Sequence, residues 1–241
     1  MEFKTKISTV KAGRTIVRGK NLADLAVDQS FVKNIYFILT GKEATDNIEK
    51  MLNIIFSLSI DHGFGAVSTL ALRIATSAKV SLQQSLIAAL SAMGHAHGGA
   101  CEDAAVWYEK NIFQGIGAEQ AVKQALANKE KIPGYGHSIM QNDERIKILM
   151  DHAKKLKLHG KSCQFAEEIE QEIIKQKGKK IPLNIDGGIA AVVLDLGLPC
   201  HITTGLFIIG RLPGLLAHIK EEIEQDNRLR RLKEEEIDYL G

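Results

Sequence analysis

Between residue 20 and Lys131 the chain has no proline, and its apolar residues recur at three- and four-residue intervals. Proline removes a backbone N–H and clashes with the preceding turn, so a long proline-free run with this period can form helix after helix. Phe31, Ile35, Phe37 and Ile38 predict a helix ended by Gly41, and Ile48, Met51, Leu52, Ile55 and Leu58 a second one capped by Thr45 or Asp46. Leu82, Leu86, Ile87, Leu90 and Met93 repeat the pattern, and Phe165, Ile169 and Ile173 sit at i, i+4, i+8. Ile189 to Leu196 is almost continuously apolar and reads as a buried helix or strand; Leu206 to Ile209 with Leu212, Leu215 and Leu216 reads as another buried helix. Only residues 1–20 look extended, as an arm or short hairpin turning at Gly13. Aromatic residues make up 5% of the chain and strand-like alternation is scarce, so the expected fold class is mostly α.

The prolines that come late, Pro182, Pro199 and Pro213, are expected at element starts. Gly98–Gly99 and Gly197–Pro199 are the natural hinges. They divide the chain into a large helical domain, 1–98 with 197–241, and a smaller one, 99–196, which carries the charged segments KKLKLHGK and KQKGKK.

With 31 Lys and Arg against 29 Asp and Glu, the charge is balanced, which argues against a nucleic-acid binder relying on global positive charge. Three cysteines, Cys101, Cys163 and Cys200, without a C-x-x-C, fit a reduced intracellular protein. The start, MEFKTKISTVKAGR, lacks the apolar core of a signal peptide, and no apolar run reads as long and clean enough to span a bilayer. The expectation is a cytoplasmic protein with neither nucleic-acid nor membrane partners.

Four glycine-flanked breaks between helical patterns carry groups able to do chemistry. Asp61-His62-Gly63 follows an apolar helix, where a histidine commonly sits against the negative end of the helix dipole. In Gly94-His95-Ala96-His97-Gly98-Gly99 the spacing H-x-H lacks a third ligand at motif spacing, so no metal is expected. The glycines instead expose His97 at the start of a helix from Ala100 to Lys110, where a neutral imidazole can donate a hydrogen bond to a developing oxyanion. Lys131 to Arg145 holds Pro133, Gly134, Gly136 and His137 in a tight loop, then Asn142 or Asp143 as cap of a helix beginning near Glu144. Asn184-Ile185-Asp186-Gly187-Gly188 precedes a buried helix. Read alone, Asp186 is its cap, while the paired glycines suggest room for a ligand beside a general base. Arg73 and Arg211 lie inside apolar patterns, where an unpaired charge is costly, and Arg228, Arg230 and Arg231 cluster near the end. Cations around neutral histidines and one carboxylate suit a small polycarboxylate.

This set, in this order, resembles the citrate synthase superfamily. GHAHGGACE is similar to its G-P-L-H-G-G-A-N-E, IPGYGH with NDER to its I-P-G-F-G-H-R with N-D-P-R, and NID to its N-V-D. IIGRLPGLLAH is similar to A-R-T-V-G-W-I-A-H, and DNRLRR to D-N-R-L-I-R-P. Gly63 and Gly187 replace larger residues usual in synthases and look like the citryl-CoA lyase module of ATP-citrate lyase; His97 looks like the synthases; Ser138 and Leu232 depart from both patterns. The resemblance implies a two-domain helical homodimer acting on a coenzyme A thioester, with no metal. It implies that His97, His137 and Asp186 are catalytic and that His62, Arg145, Arg211 and the neighbour's Arg231 hold carboxylates. It also implies that Ile132, Pro133, Gly134, Tyr135 and Gly136 form the coenzyme A loop. The expected activity is cleavage of citryl-CoA to acetyl-CoA and oxaloacetate. A short citrate synthase and an inactive coenzyme A-binding assembly partner are the alternatives.

Overall fold

The computed structural model describes residues 2–136, 143–226 and 228–241. His137, Ser138 and Asn142 lie outside the described residues.

The extended start is a three-stranded antiparallel meander of β1 (Ser8–Lys11), β2 (Arg14–Val17) and β3 (Lys20–Asn21), with Ser8 opposite Val17 and Ile16 opposite Asn21. Both turns, Ala12–Gly13 and Arg18–Gly19, hold two successive residues at positive φ, a geometry whose twist matches that of paired strands. The rest is helical, as the proline-free periodicity predicts: α1 (Leu22–Asp28), α2 (Phe31–Thr40), α3 (Asp46–Ser59), α4 (Val67–Ser77), α5 (Leu82–Ser91) and α6 (Ala100–Phe113). Then come α7 (Ala118–Ala127), α8 (Glu144–Lys155), α9 (Lys161–Lys177), α10 (Ile185–Asp195) and α11 (Thr203–Glu224). Ser30, Thr45 and Ser81 each accept an N–H from the first turn of α2, α3 and α5, caps worth about 1 kcal/mol apiece. Gly41, at φ 75°, ends α2, and Arg18 donates to the carbonyls of Ile38 and Leu39 that this end leaves open.

The main core encloses α10, whose Ile185 and Ile189 to Val193 are all buried, so the apolar run is a helix and not a strand. Leu72, Ala89, Leu215 and Ile219 form a smaller cluster joining α4, α5 and α11. Pro182 does precede α10 and Pro199 caps the 3-10 turn Cys200–Ile202, but Pro213 falls inside α11 and not at an element start. Its missing N–H frees only one carbonyl, that of Ile209, and the packing of a 22-residue helix outweighs that loss. By length and composition Cys200–Glu224 could cross a bilayer, contrary to the expectation from sequence. Here its charged centre is a core contact. Arg211 is 2% exposed and donates from Nε to the Ser59 carbonyl at 2.7 Å. A methyl on Gly210 would meet Ser59 Cβ at 2.9 Å, and one on Gly214 would meet the Ile60 carbonyl oxygen at 2.1 Å. The two glycines therefore let α11 lie directly against the end of α3, close enough for Arg211 to cap it.

Arg73, the other arginine in an apolar pattern, is an ion-pair centre. It is 2% exposed, donates from Nε to Glu222 Oε2 at 2.6 Å, and also pairs with Glu221 and Gln225. Glu222, equally buried, takes two further bonds of 2.8 Å from Arg230, which ties the C-terminal coil to α11. Phe64, in the loop after His62, has the guanidiniums of Arg73 and Arg230 4.8 and 5.5 Å from its ring centroid.

Candidate active site

α3 ends at Ser59, so Asp61, His62 and Gly63 lie in the loop beyond it, and His62 is not in a last helical turn. Asp61 accepts the Gly63 N–H at 3.0 Å and pairs with His218 Nε2 at 3.2 Å, which fixes the loop to α11. Burial works to raise the Asp61 carboxyl, but the N–H groups of Gly63 and His62 and the nearby His218 outweigh it and hold it below the usual range. Gly63, at φ 77°, has open space where a side chain would be.

His97 sits on a tight turn. Gly94 and His97 exchange both backbone hydrogen bonds at 2.8 Å, and Gly99 N donates to the Gly94 carbonyl at 3.0 Å. A methyl on Gly99 would lie 2.9 Å from Gly94, and one on Gly98 would lie 3.0 Å from the Phe207 ring. Glycine is required for this turn to close and for Phe207 to reach it. The Ser68 N–H, an unshared donor in the first turn of α4, donates to His97 Nε2 at 3.3 Å, and Ser68 Oγ is 2.9 Å from the same nitrogen. An N–H can only donate, so Nε2 is the acceptor and the neutral ring carries its proton on Nδ1. Burial lowers the pKa of His97, the neighbouring Arg211 and His62 lower it further, and Asp186 opposes them. The other histidine of H-x-H faces elsewhere: His95 Nδ1 is 2.8 Å from Asp103, which raises its pKa. Among the described residues no group of three or more potential metal ligands converges.

Asp186 is not the cap of α10. Asn184 is: its side chain accepts the Gly187 N–H at 3.0 Å and donates to the Gly136 carbonyl at 2.8 Å. Asp186 is thus a first-turn carboxylate with no capping duty, and Cys101 donates its thiol to Oδ1 at 3.1 Å. Nor do the paired glycines leave room for a ligand. A methyl on Gly187 would lie 2.5 Å from the Gly134 carbonyl oxygen, and one on Gly188 would lie 2.2 Å from Ile146 Cδ1. They admit the neighbouring loop and α8.

That loop, Ile132 to Gly136, is stitched to the segment leading into Asp186 by Gly136 N to Pro182 O (2.8 Å) and Asn184 N to Gly134 O (3.0 Å). Ile132 and Tyr135 are buried, and the Tyr135 hydroxyl accepts from Tyr108 and donates to the Ala166 carbonyl. Their side chains anchor the loop, so what Ile132 and Tyr135 present outward is backbone.

Arg145 stands in the first turn of α8, which Asp143 caps as expected; the Asp143 carboxylate also grips the guanidinium at 2.8 and 2.9 Å. Arg211 stacks 4.9 Å from the Phe207 ring centroid, and its buried Nη1 has no hydrogen-bond partner among the described residues. Burial lowers the pKa of Arg211; Arg145 adds to this, and Asp61 and Asp186 oppose it. A guanidinium keeps its charge regardless. The charges of Arg211, His62 and Asp186 thus act on His97, and those of Asp61, Arg145 and Asp186 act on Arg211. Arg231 is exposed in the coil after α11 and forms no hydrogen bond or ion pair to another described residue of its own chain.

A family model described as citrate synthase, C-terminal domain, matches residues 5–233. The chain belongs to the citrate synthase family. It is 32% identical to citrate synthase 2 of Bacillus subtilis (strain 168) over 96% of its own length, and spans 62% of that curated relative. Among solved structures it is similar to citryl-CoA lyase from Hydrogenobacter thermophilus (TM-score 0.95, 40% identity, 99% of this chain and 94% of that one). It is also similar to ATP citrate lyase from Methanothrix soehngenii in complex with citrate and coenzyme A (TM-score 0.86, 26% identity, 100% of this chain and 42% of that one).

Residues that no motif marks pack against His97 and Arg211. Ser68 orients His97 from 29 positions away, and no local pattern marks it. Phe207 and the Ser59 carbonyl hold Arg211; the spacing of Gly210 and Gly214 around that arginine is the one signal in the sequence. Cys101 stands where the family motif quoted above has asparagine.

Proposed function

We propose that the chain is a citryl-CoA lyase, cleaving citryl-CoA to acetyl-CoA and oxaloacetate. The observation that carries this reading is the neutral His97, on which the Asp186 and Arg211 charges act and whose Nδ1–H has no partner among the described residues, together with the buried Nη1 of Arg211, also unpartnered among them. A buried donor with no partner costs on the order of 1–3 kcal/mol or more, and a substrate carboxylate would satisfy it. The similarity to a citryl-CoA lyase over nearly the full length of both chains supports the choice within the family.

In the cleavage direction the bond between the methylene beside the thioester and the hydroxyl-bearing carbon breaks. Its electron pair passes to the methylene carbon and is shared with the thioester oxygen, to which His97 Nδ1–H donates. Asp186, protonated, delivers its proton to that carbon to make the methyl group of acetyl-CoA. The hydroxyl proton passes to the imidazole of His137, the residue that the family resemblance assigns to that oxygen, as the keto group of oxaloacetate forms. His62, Arg145 and Arg211 hold carboxylates. Aligned donors of this kind contribute about 10²–10³-fold each. Coenzyme A would lie along the Ile132–Gly136 loop.

The same site would run the carbon–carbon step either way, so lyase and synthase differ in thioester hydrolysis. Gly187 does not bear on this, because Gly134 fills the space beside it. The open flank at Gly63 does: glycine has no side chain of its own to orient a water, and no described residue comes within 4 Å of where one would begin. Purified protein given citryl-CoA should therefore yield acetyl-CoA and oxaloacetate as main products. Citrate and free coenzyme A in their place would sink the lyase reading and leave a short citrate synthase. No turnover of any kind would favour the assembly-partner alternative.

The chain would work as a homodimer with a shared site. Val67, Leu70 and Ile74 form an exposed apolar stripe along α4, suited to a second copy, and Arg231 is held out from its own chain while Arg230 is anchored. Mixing inactive Asp186→Asn and Arg231→Ala chains should restore part of the activity once subunits exchange. Arg231→Ala protein that is already nearly fully active would refute the shared site.

A further inference from the structure

We propose that Phe64 is a positioning residue for His62: its ring, under two guanidiniums, clasps the loop that carries His62 to the buried Arg73–Glu222–Arg230 cluster. The inference rests on the reading of His62 as a group that holds a substrate carboxylate. The loop between α3 and α4 is exposed from Asp61 to Gly65. Two of its residues are glycines, and nothing lies within 4 Å of where a side chain on Gly63 or Gly65 would begin. Glycine leaves a chain free to take many conformations, so a histidine beside Gly63 keeps one place only if the loop is tied down on both sides of it. On one side Asp61 is tied to His218 of α11 at 3.2 Å. On the other side the tie is Phe64. Arg73 of α4 and Arg230 of the C-terminal coil lie over its ring, 4.8 and 5.5 Å from the centroid. Neither cation can follow a moving loop. Arg73 is 2% exposed and bonded to Glu222 at 2.6 Å. Arg230 gives Glu222 two bonds of 2.8 Å, and its backbone N–H donates to Ser77 Oγ at 3.0 Å. The ring thus meets a fixed pair of charges, and an aliphatic side chain cannot reproduce the attraction of a guanidinium to an aromatic face. Phe64 is 43% exposed, so apolar burial is the smaller part of what holds it.

Oxaloacetate binding, followed by isothermal titration calorimetry, tests this without turnover. Phe64→Leu keeps an apolar side chain and loses the aromatic face, so its affinity for oxaloacetate should fall roughly fivefold to tenfold. Phe64→Tyr, which keeps the ring, should bind like the parent. Arg230→Gln keeps a donor for Glu222 and removes the charge over the ring. It should weaken binding through the same contact, so the two changes together should cost less than the product of their separate effects. In citryl-CoA cleavage the loss should appear in KM, with kcat within about twofold, because a displaced carboxylate holder weakens ground state and transition state alike. A merely structural Phe64 would lower the melting temperature of Phe64→Leu and leave its oxaloacetate affinity at the parent's value; that result overturns the proposal. Phe64→Tyr binding as weakly as Phe64→Leu, or fully multiplicative effects of Phe64→Leu and Arg230→Gln, would overturn it too. Phe64→Met takes the place of the leucine variant if that one fails to fold. A parent that binds oxaloacetate but does not cleave citryl-CoA would sink the lyase reading and leave the clasp standing. A parent that binds no oxaloacetate refutes the carboxylate role of His62 and the clasp with it.

Discussion

Asp186→Asn should lower the carbon–carbon chemistry by about 10²-fold or more, the usual contribution of a positioned acid or base, with little change in melting temperature. The amide keeps the shape and an acceptor for the Cys101 thiol but has no proton to deliver and no charge to receive one. Stability should be nearly unaffected because Asn184, and not Asp186, caps α10. Steady-state cleavage of citryl-CoA and far-ultraviolet circular dichroism on the same preparation check both halves. Turnover within a few-fold of the parent would remove Asp186 from the chemistry. A substantial drop in melting temperature would mean that the carboxylate supports the helix after all.

Glu222→Ala should be the most damaging change away from the site. It leaves the guanidinium of Arg73, 2% exposed, with Glu221, Gln225 and a long contact to His218, and it releases the Arg230 guanidinium. Breaking a buried pair costs about 3–5 kcal/mol. With Glu221 remaining, a loss near 3 kcal/mol is expected, roughly 6–12 °C in melting temperature for a domain of this size. Burial acts to raise the Glu222 carboxyl, but Arg230 and Arg73 together hold it below its ordinary value. Its contribution is therefore present above the unfolded carboxyl pKa and disappears as pH falls through the lower folded one. Acid unfolding followed by circular dichroism should show the variant and the parent converging at low pH. A melting temperature unchanged at neutral pH would refute the account of this cluster.

Helices and their ends were legible because each follows from local chemistry: Ser, Thr and Asp caps, Gly41 at a C-terminus, apolar residues every third or fourth position. Pro213 was misread because its penalty is local while the packing that overrides it, α11 against α3, involves residues more than 140 positions apart. The candidate site's charged groups stand out in the sequence because glycine-flanked histidines and aspartates stand at helix breaks. Their orienting partners do not. Ser68, Phe207 and Cys101 are ordinary residues whose roles exist only once α4, α6 and α11 meet. Read from sequence, Asp186 is the cap of α10; both Asp and Asn favour that position, and the backbone geometry gives it to Asn184.

The contact of Gly134 with Gly187 bears on any attempt to remodel this enzyme. The loop and the helix that carries Asp186 meet main chain to main chain, so the gap between them cannot be retuned by choosing another rotamer or a slightly larger residue. Substituting both glycines at once would worsen the collision, because each fills the other's missing side chain. Combinatorial libraries that include these two positions would return almost only glycine. Diversity is better spent on side chains that border open volume, such as the volume beside Gly63.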